Sequence, residues 1–329
     1  MRLGERKFET GRKQDLIMPT YPPPGSAYLP GTESFLDPER ADAGRPQDAR
    51  AVVIPFGLEA SVSYGGGTAH GPSAIIAASH QLELFDDELW REAYADYGIA
   101  ALQPPALPST VAAALDQLSG LVEATLEAGK FPFVLGGEHS LTAGVIRPFV
   151  RRYPRDLVVL HFDAHWDLRD GYQGEPYSHA AAMRRVLDQP GHEHVTLVSV
   201  GIRAFSEPEA RYFEANRHRM HVHLGHDQPR WNIADIVAPL RGRPVYITFD
   251  IDALDASIMP ATGTPVPGGI SYARALAVLR AAMEASGQII GMDLVEFAPI
   301  AGFHAYDFTA AQLAAKMLNY ALSGTKRRA

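Results

Sequence analysis

The stretch Val158 to Asp170, VVLHFDAHWDLRD, constrains the fold more than any other, because four apolar residues among five run directly into an Asp-x-His-x-Asp cluster. The apolar run predicts a buried strand. Side chains alternate faces along an extended chain, so Asp163, His165 and Asp167 are expected to project together, two carboxylates and an imidazole converging on one point. Such a cluster is costly as bare buried charge, whereas a divalent cation neutralises it and uses its lone pairs.

Two other stretches end in the same way. Arg243 to Leu254 reads RPVYITFDIDAL, a β-rich run that closes with Asp250 and Asp252 at i, i+2 and so on one face. Phe131 to Ser140 reads FPFVLGGEHS, a short strand that meets two glycines, expected to let backbone pass close to a ligand, and then Glu138 and His139. Three strand ends rich in Asp and His, in a chain without cysteine, describe an oxygen-and-nitrogen site for more than one ion.

GGEHS, DAHWD and FDIDALDAS resemble the three signatures of the ureohydrolase family of arginases, agmatinases and their relatives, with a likeness running from about Val52 to the end of the chain. The resemblance implies a binuclear manganese site, two Mn2+ per chain, that hydrolyses a guanidino group to urea and an amine. It implies His139, Asp163, Asp167 and Asp250 as ligands toward one ion, with His165 and Asp252 joining shared carboxylates at the other. His179, in the loop GYQGEPYSHAAAMRR, corresponds to a catalytic histidine and is the candidate proton shuttle. Glu296, at the end of the strand QIIGMDLV, matches a guanidinium-binding glutamate, and Thr264, in MPATGTPVPGG, matches a residue near the substrate. The family also implies a homo-oligomer, a trimer or hexamer. One related architecture, the single-zinc deacetylases, carries tandem histidines that this sequence lacks near its metal motifs.

The 329 residues suit one large α/β domain, residues 48–329, preceded by an irregular arm at 1–47 that is polar and broken by YPPPG and YLPG. Strands and helices alternate from residue 51 onward, which predicts a three-layer αβα domain around a mostly parallel sheet of about eight strands, arginase-like by the resemblance. Among the helices, one is expected from Pro72 to about Phe85, one after an N-cap at Ser109, and a last one capped by Thr309 with Gln312 three residues on. No apolar run is long enough to span a bilayer and the first residues lack a signal-peptide core, so a cytoplasmic location is expected. The net charge of −8 disfavours nucleic acid and favours small cations.

The loop SVSYGGGTAHGP borders the site mouth by resemblance, where relatives commonly carry an arginine; here Tyr64 and His70 are the contact candidates. Asp293 and Asp255 read as structural acids, and HVHLGH at His221 to His226 as a partly exposed strand. For the substrate, arginases place an asparagine after the last aspartate of the DAHxD motif, where it binds the α-carboxylate. This chain has Leu168, which cannot. A cationic substrate, agmatine, is therefore expected, with Asp170 and Glu175 as possible partners for its distal ammonium. Arg169 speaks instead for a guanidino acid, while Arg184 and Arg185 are expected in ion pairs on the next helix. Arginine, formiminoglutamate and a catalytically silent metal-bound paralogue are the remaining alternatives.

Overall fold

In the computed structural model, which describes residues 21–326, the apolar runs pair side by side. The strands are β1 (Ala51–Phe56), β2 (Phe85–Asp86), β3 (Arg91–Glu92), β4 (Ile99–Ala101), β5 (Phe131–Gly136), β6 (Val158–Phe162), β7 (Thr196–Ile202), β8 (Met220–Leu224), β9 (Pro244–Asp250) and β10 (Gln288–Val295). Eight of them form one sheet in the order β4-β1-β5-β10-β9-β6-β7-β8, and every neighbouring pair is parallel. Parallel pairing needs crossovers, so helices must cover both faces, and strands buried on both faces read as unbroken apolar runs.

Alternation within a strand assigns those faces. Phe133 and Leu135 of β5, and Val158, Leu160 and Phe162 of β6, pack into one core with the helices α1 (Gly71–Ser79), α6 (Ile233–Ile236), α7 (Tyr272–Ala285) and α8 (His304–Ser323). Val134 and Val159 point the other way, into a core built with α2 (Val111–Glu127), α3 (Thr142–Arg152) and α4 (Ala182–Asp188), flanked by α5 (Glu207–Asn216). This is the expected three-layer αβα domain. Phe162 and Phe249, both fully buried, stack with centroids 4.7 Å apart near the ends of adjacent strands, each directly before an aspartate in sequence. Burying each such ring contributes roughly 1.5–3 kcal/mol.

Local boundaries depart from expectation in three places. The N-cap of α2 is Thr110, whose Oγ1 accepts from Ala113 N at 3.3 Å, rather than Ser109. The helix that begins near Pro72 stops at Ser79 rather than near Phe85, and the β2–β3 hairpin follows it. Thr309 caps nothing: α8 already starts at His304, and the Thr309 hydroxyl donates back to Ala305 O at 2.8 Å. At α2 two hydroxyl-bearing residues, Ser109 and Thr110, stand side by side, and sequence spacing alone does not choose between neighbours.

Of the expected arm, residues 1–20 lie outside the described residues. Its remainder packs on the sheet edge, where Leu29 N donates to Ala101 O and Arg40 Nη2 to Ile99 O. Among the described residues no helix is long and apolar enough to cross a membrane.

The four central strands β5, β10, β9 and β6 release their carboxyl ends next to one another. That is where an open parallel sheet places its ligands. Gly137 makes the convergence possible. A Cβ on it would lie 2.0 Å from Leu58 O, and its own carbonyl accepts from Glu296 N at 2.8 Å. The close approach is therefore to the chain itself, not to a ligand as the sequence suggested. A Gly137→Ala variant is expected to lose roughly 1–3 kcal/mol or more, because only backbone can yield there. Thermal unfolding measures this, and an unchanged midpoint would show that the Leu58 loop moves aside freely.

Candidate active site

His139 opens the 3₁₀ turn after β5, and its ring enters the space between the strand ends. Its Nδ1 lies 3.1 Å from Asp163 Oδ2, 3.0 Å from Asp167 Oδ2 and 3.3 Å from Asp250 Oδ2. Its Nε2 meets Thr248 Oγ1 at 2.8 Å, which fixes the ring. Nδ1 is buried and makes no hydrogen bond of acceptable geometry, so it faces three carboxylates without being satisfied by any. An orphaned imidazole nitrogen among convergent carboxylate oxygens suits a cation better than a proton.

A second set adjoins the first. His165 Nδ1 lies 2.9 Å from Asp252 Oδ2 and 3.5 Å from Asp163 Oδ1. Asp163 thus presents one oxygen to each set, while the second oxygen of Asp250 accepts from Asp252 N at 2.8 Å. The strand argument for this convergence was only partly right. β6 ends at Phe162, and Asp163 to Asp167 lie beyond it, with Asp167 at φ +53°. Glu296 is likewise left-handed at φ +63°, directly after β10. Left-handed non-glycine backbone costs on the order of 1–3 kcal/mol and gathers at functional sites.

The electrostatics explain why this cluster calls for cations. Burial, with neighbouring carboxylates, pushes Asp167 up to about 7 and raises Asp250 far above its ordinary range. Asp163 goes the other way: burial opposes its ionisation, but His161, His139 and His165 together hold its carboxyl well below that range. Acids driven apart in this way share too little positive charge. An all-oxygen-and-nitrogen donor set with two centres fits two divalent cations of the Mn or Zn kind. His139 with His161 and Asp163, and Asp163 with His165 and Asp252, each bring their ligand atoms within 4.8 Å of one another. His161 is better placed as support than as a ligand, since Nε2 is committed to Asp163 Oδ2 at 2.7 Å and Nδ1 to Ser199 Oγ at 3.1 Å.

Above the cluster opens a cavity of about 280 Å³ whose walls include His165, Asp167, Asp250, Asp252, His179 and Glu296. Thr264 also lines it, as do Ser63, Arg169, Tyr172, Phe205 and Glu209. Glu296 is held by His139 N, which donates to its Oε1 at 2.7 Å, and burial raises its carboxyl well above the usual range. Burial pushes the His179 imidazole down instead. Asp293, as expected, is structural, accepting from Thr142 Oγ1 and Tyr246 OH.

The family model for the arginase family matches residues 49–323. The chain belongs to the arginase family. It is 35% identical over 301 residues to an N(1)-aminopropylagmatine ureohydrolase of Synechocystis, covering 89% of this chain and 95% of that one. It is 36% identical over 261 residues to the agmatinase of Bacillus subtilis, covering 78% of this chain and 87% of that one. Among solved structures, the agmatine ureohydrolase of Thermoplasma volcanium superposes with a TM-score of 0.73 at 30% identity, covering 85% of this chain and 94% of that one. Arginase from Bacillus subtilis superposes at 0.67 with 26% identity, covering 82% and 98%. The chain is therefore a ureohydrolase, an enzyme of guanidino hydrolysis, in a family that depends on a binuclear metal centre.

Within this arginase-family site, several expected neighbours are elsewhere. Tyr64 is 87% exposed and His70 is exposed, and neither lines the cavity; Ser61 and Ser63 of the same loop approach His179 instead. Asp170 pairs with Arg185 at the surface and Glu175 caps Tyr177 N, so neither faces the cavity. Arg184 and Arg185 do pair with Asp188 on their helix. The acid that does reach the cavity wall, Glu209, belongs to the capping box of α5 and was not singled out. Its signal was present as Ser206-x-x-Glu209, but a cap and a cavity wall look alike in sequence. Arg203 was also missed. It donates to Asp252 O and Val266 O, both at 2.7 Å, and so ties the second set to the loop carrying Thr264.

Proposed function

We propose that this ureohydrolase hydrolyses agmatine to putrescine and urea with two Mn2+ per chain, one held by His139, Asp163, Asp167 and Asp250 and the other by Asp163, His165 and Asp252 with the shared carboxylates. When bound, two such cations acidify water and so supply an oxygen nucleophile at neutral pH. Residues 48–329 form the catalytic domain in this reading, residues 1–47 an arm, and the enzyme assembles as a trimer or hexamer.

The chain's own groups do the rest. Glu296, locked by His139 N–H, takes the guanidinium by paired charge-assisted hydrogen bonds, which compensates its burial and sets the guanidino carbon over the cluster. Thr264 completes the wall beside the substrate. His179, neutral because it is buried, accepts a proton and returns it to the departing nitrogen, so that water and guanidinium become urea and an ammonium. A His179→Ala variant is expected to keep its metals while kcat falls roughly 10- to 1000-fold. Unchanged turnover across pH would reduce His179 to a loop residue.

The observation that carries the choice of substrate is the distribution of charge around the cavity. Leu168 is 1% exposed in the hydrophobic core and offers nothing to an α-carboxylate. Beyond the metal sets, the acids on the wall are Glu296 and Glu209; Glu209 already accepts from Leu168 N and Ser206, so what it offers the distal end of a doubly cationic substrate is its negative charge rather than a free acceptor. Agmatine has that form, and both relatives quoted above take agmatine or its aminopropyl derivative by name. Arg169 is the observation favouring a second reading, a guanidino acid. It lines the cavity and stacks on Tyr172 at 5.0 Å, but its Nε also lies 3.9 Å from Glu209, which partly occupies its charge.

Urea release from manganese-loaded enzyme tests this against agmatine, arginine, 4-guanidinobutyrate and formiminoglutamate. The kcat/KM for agmatine is expected to exceed that for arginine by at least about 100-fold, since arginine would leave a carboxylate unpaired. Comparable values would refute the missing-anchor argument, and faster turnover of 4-guanidinobutyrate would make Arg169 the substrate's partner.

A further inference from the structure

The Gly-rich loop after β1 is pinned at two points. Glu59 accepts from Gly67 N at 2.9 Å and Ala69 N at 2.7 Å, closing the loop on itself, and Glu138 accepts from Ala60 N at 2.7 Å and Ser61 N at 2.6 Å, fastening it to the end of β5. That second anchor brings Ser61 against His179, 118 positions away in sequence.

From the hydrogen bonds at this junction we infer that Ser61 is a positioning residue, which holds neutral His179 with its proton on Nδ1 and its lone pair on Nε2, facing the cavity. The inference rests on the reading of His179 as the proton-transfer group. Glu138 is fully buried and receives four donors: the two backbone N–H groups on Oε2, and Ser61 Oγ at 2.8 Å and Ser140 Oγ at 2.6 Å on Oε1. A carboxyl group that accepts at all four positions is an acceptor only, so the single hydroxyl proton of Ser61 must point at Glu138. The Ser61 oxygen then has only lone pairs to offer elsewhere. One receives His179 N–H at 2.9 Å, and the other lies 3.3 Å from His179 Nδ1. Two facing lone pairs repel; a proton on Nδ1 turns that contact into a hydrogen bond.

The other neighbours of the ring agree with this assignment. Ser63 Oγ, at 3.3 Å, is free to donate to the Nε2 lone pair, while Ser178 Oγ, at 3.4 Å the longer contact to Nδ1, accepts from Ala180 N and is compatible with either tautomer. When Nε2 takes a proton, the Nδ1–H bond to Ser61 persists, and the serine dipole, aligned by the Glu138 carboxylate, stabilises the imidazolium. When Nε2 releases that proton to the departing nitrogen, the starting tautomer is restored and no proton is gained or lost. The arrangement is a carboxylate, a hydroxyl and an imidazole in series, with the hydroxyl relaying orientation rather than attacking.

The test is a set of four manganese-loaded variants assayed for urea release from agmatine, with metal content measured in each: Ser61→Ala, Ser61→Thr, His179→Ala and the Ser61→Ala/His179→Ala pair. Ser61→Ala is expected to lower kcat roughly 10- to 100-fold with KM within about twofold and metals retained. Ser61→Thr, which keeps the hydroxyl, restores kcat to within about threefold of wild type. In the His179→Ala background, Ser61→Ala has no further effect, because it acts only through the imidazole. If Ser61→Ala does not fold, Ser61→Cys, whose sulfur is a weak acceptor, carries the same comparison. An additive loss in the double variant, or a Thr variant as slow as Ala, would overturn the inference by showing that Ser61 merely holds the loop. A His179→Ala enzyme as fast as wild type would overturn the reading beneath it, so the two failures are told apart.

Discussion

An Asp163→Ala variant is expected to bind neither metal ion stoichiometrically, and to release urea with a kcat roughly 1000-fold or more below wild type. The size of the effect follows from geometry. Asp163 Oδ2 faces His139 at 3.1 Å and Oδ1 faces His165 at 3.5 Å, so one side chain serves both sets. It also receives His161 Nε2 at 2.7 Å and His165 N at 2.5 Å. Removing it empties the junction of the two sets and leaves three imidazoles without their shared counter-charge, for which no neighbouring oxygen can substitute. Metal analysis and kinetics on the same preparation check the expectation. Retention of two ions per chain would show that Asp167, Asp250 and Asp252 suffice and that Asp163 is not shared.

Glu296→Gln should separate binding of substrate from binding of metal. The amide keeps an oxygen to accept His139 N–H, so the left-handed backbone after β10 and the cluster beside it should stay in place. What it loses is the negative charge and one acceptor toward a guanidinium. Two parallel charge-assisted bonds orient the substrate as well as hold it, so kcat/KM for agmatine is expected to fall roughly 100- to 1000-fold with metal content unchanged. A change within about threefold would mean that the guanidinium is held elsewhere in the cavity.

Much of this architecture was legible in the chain because the strongest signals coincide. VVLHF, RPVYITF and FPFVL are predominantly apolar runs, as strands buried on both faces are, and the first two stop at an aspartate while the third reaches Glu138 and His139 through two glycines. The parallel sheet and the position of the cluster at its carboxyl edge follow from that pairing of patterns. His139, Asp163, His165, Asp167, Asp250 and Asp252 converge as expected, although two of the reasons did not hold. The i, i+2, i+4 spacing was read as strand alternation, yet the chain leaves the strand at Phe162 and reaches Asp167 through a left-handed turn. The two glycines before Glu138 were read as room for a ligand, yet Gly137 makes room for Leu58.

Less visible were the residues whose importance depends on contacts remote in sequence. Glu138 looked like a neighbour of a ligand, but its four donors come from residues 60, 61 and 140, and only the folded loop reveals them. His161 sat among apolar residues and read as part of a strand, whereas it fixes the orientation of Asp163. Asp170 and Glu175 were favoured as acids near the motif, but proximity along the chain does not survive a surface turn, and Glu209, 42 positions past Asp167, takes the wall instead. Tyr64 was singled out for its chemistry and the small Ser61 was not, although an exposed ring cannot hold an imidazole and a partly buried hydroxyl can.

Two metal sets sharing Asp163 make the number of ions the quantity on which the whole account turns. Titrating chelator-treated protein with Mn2+ while following urea release measures it most directly. The account predicts that activity reaches its plateau only near two manganese per chain, and full activity at one ion per chain, zinc included, would contradict it.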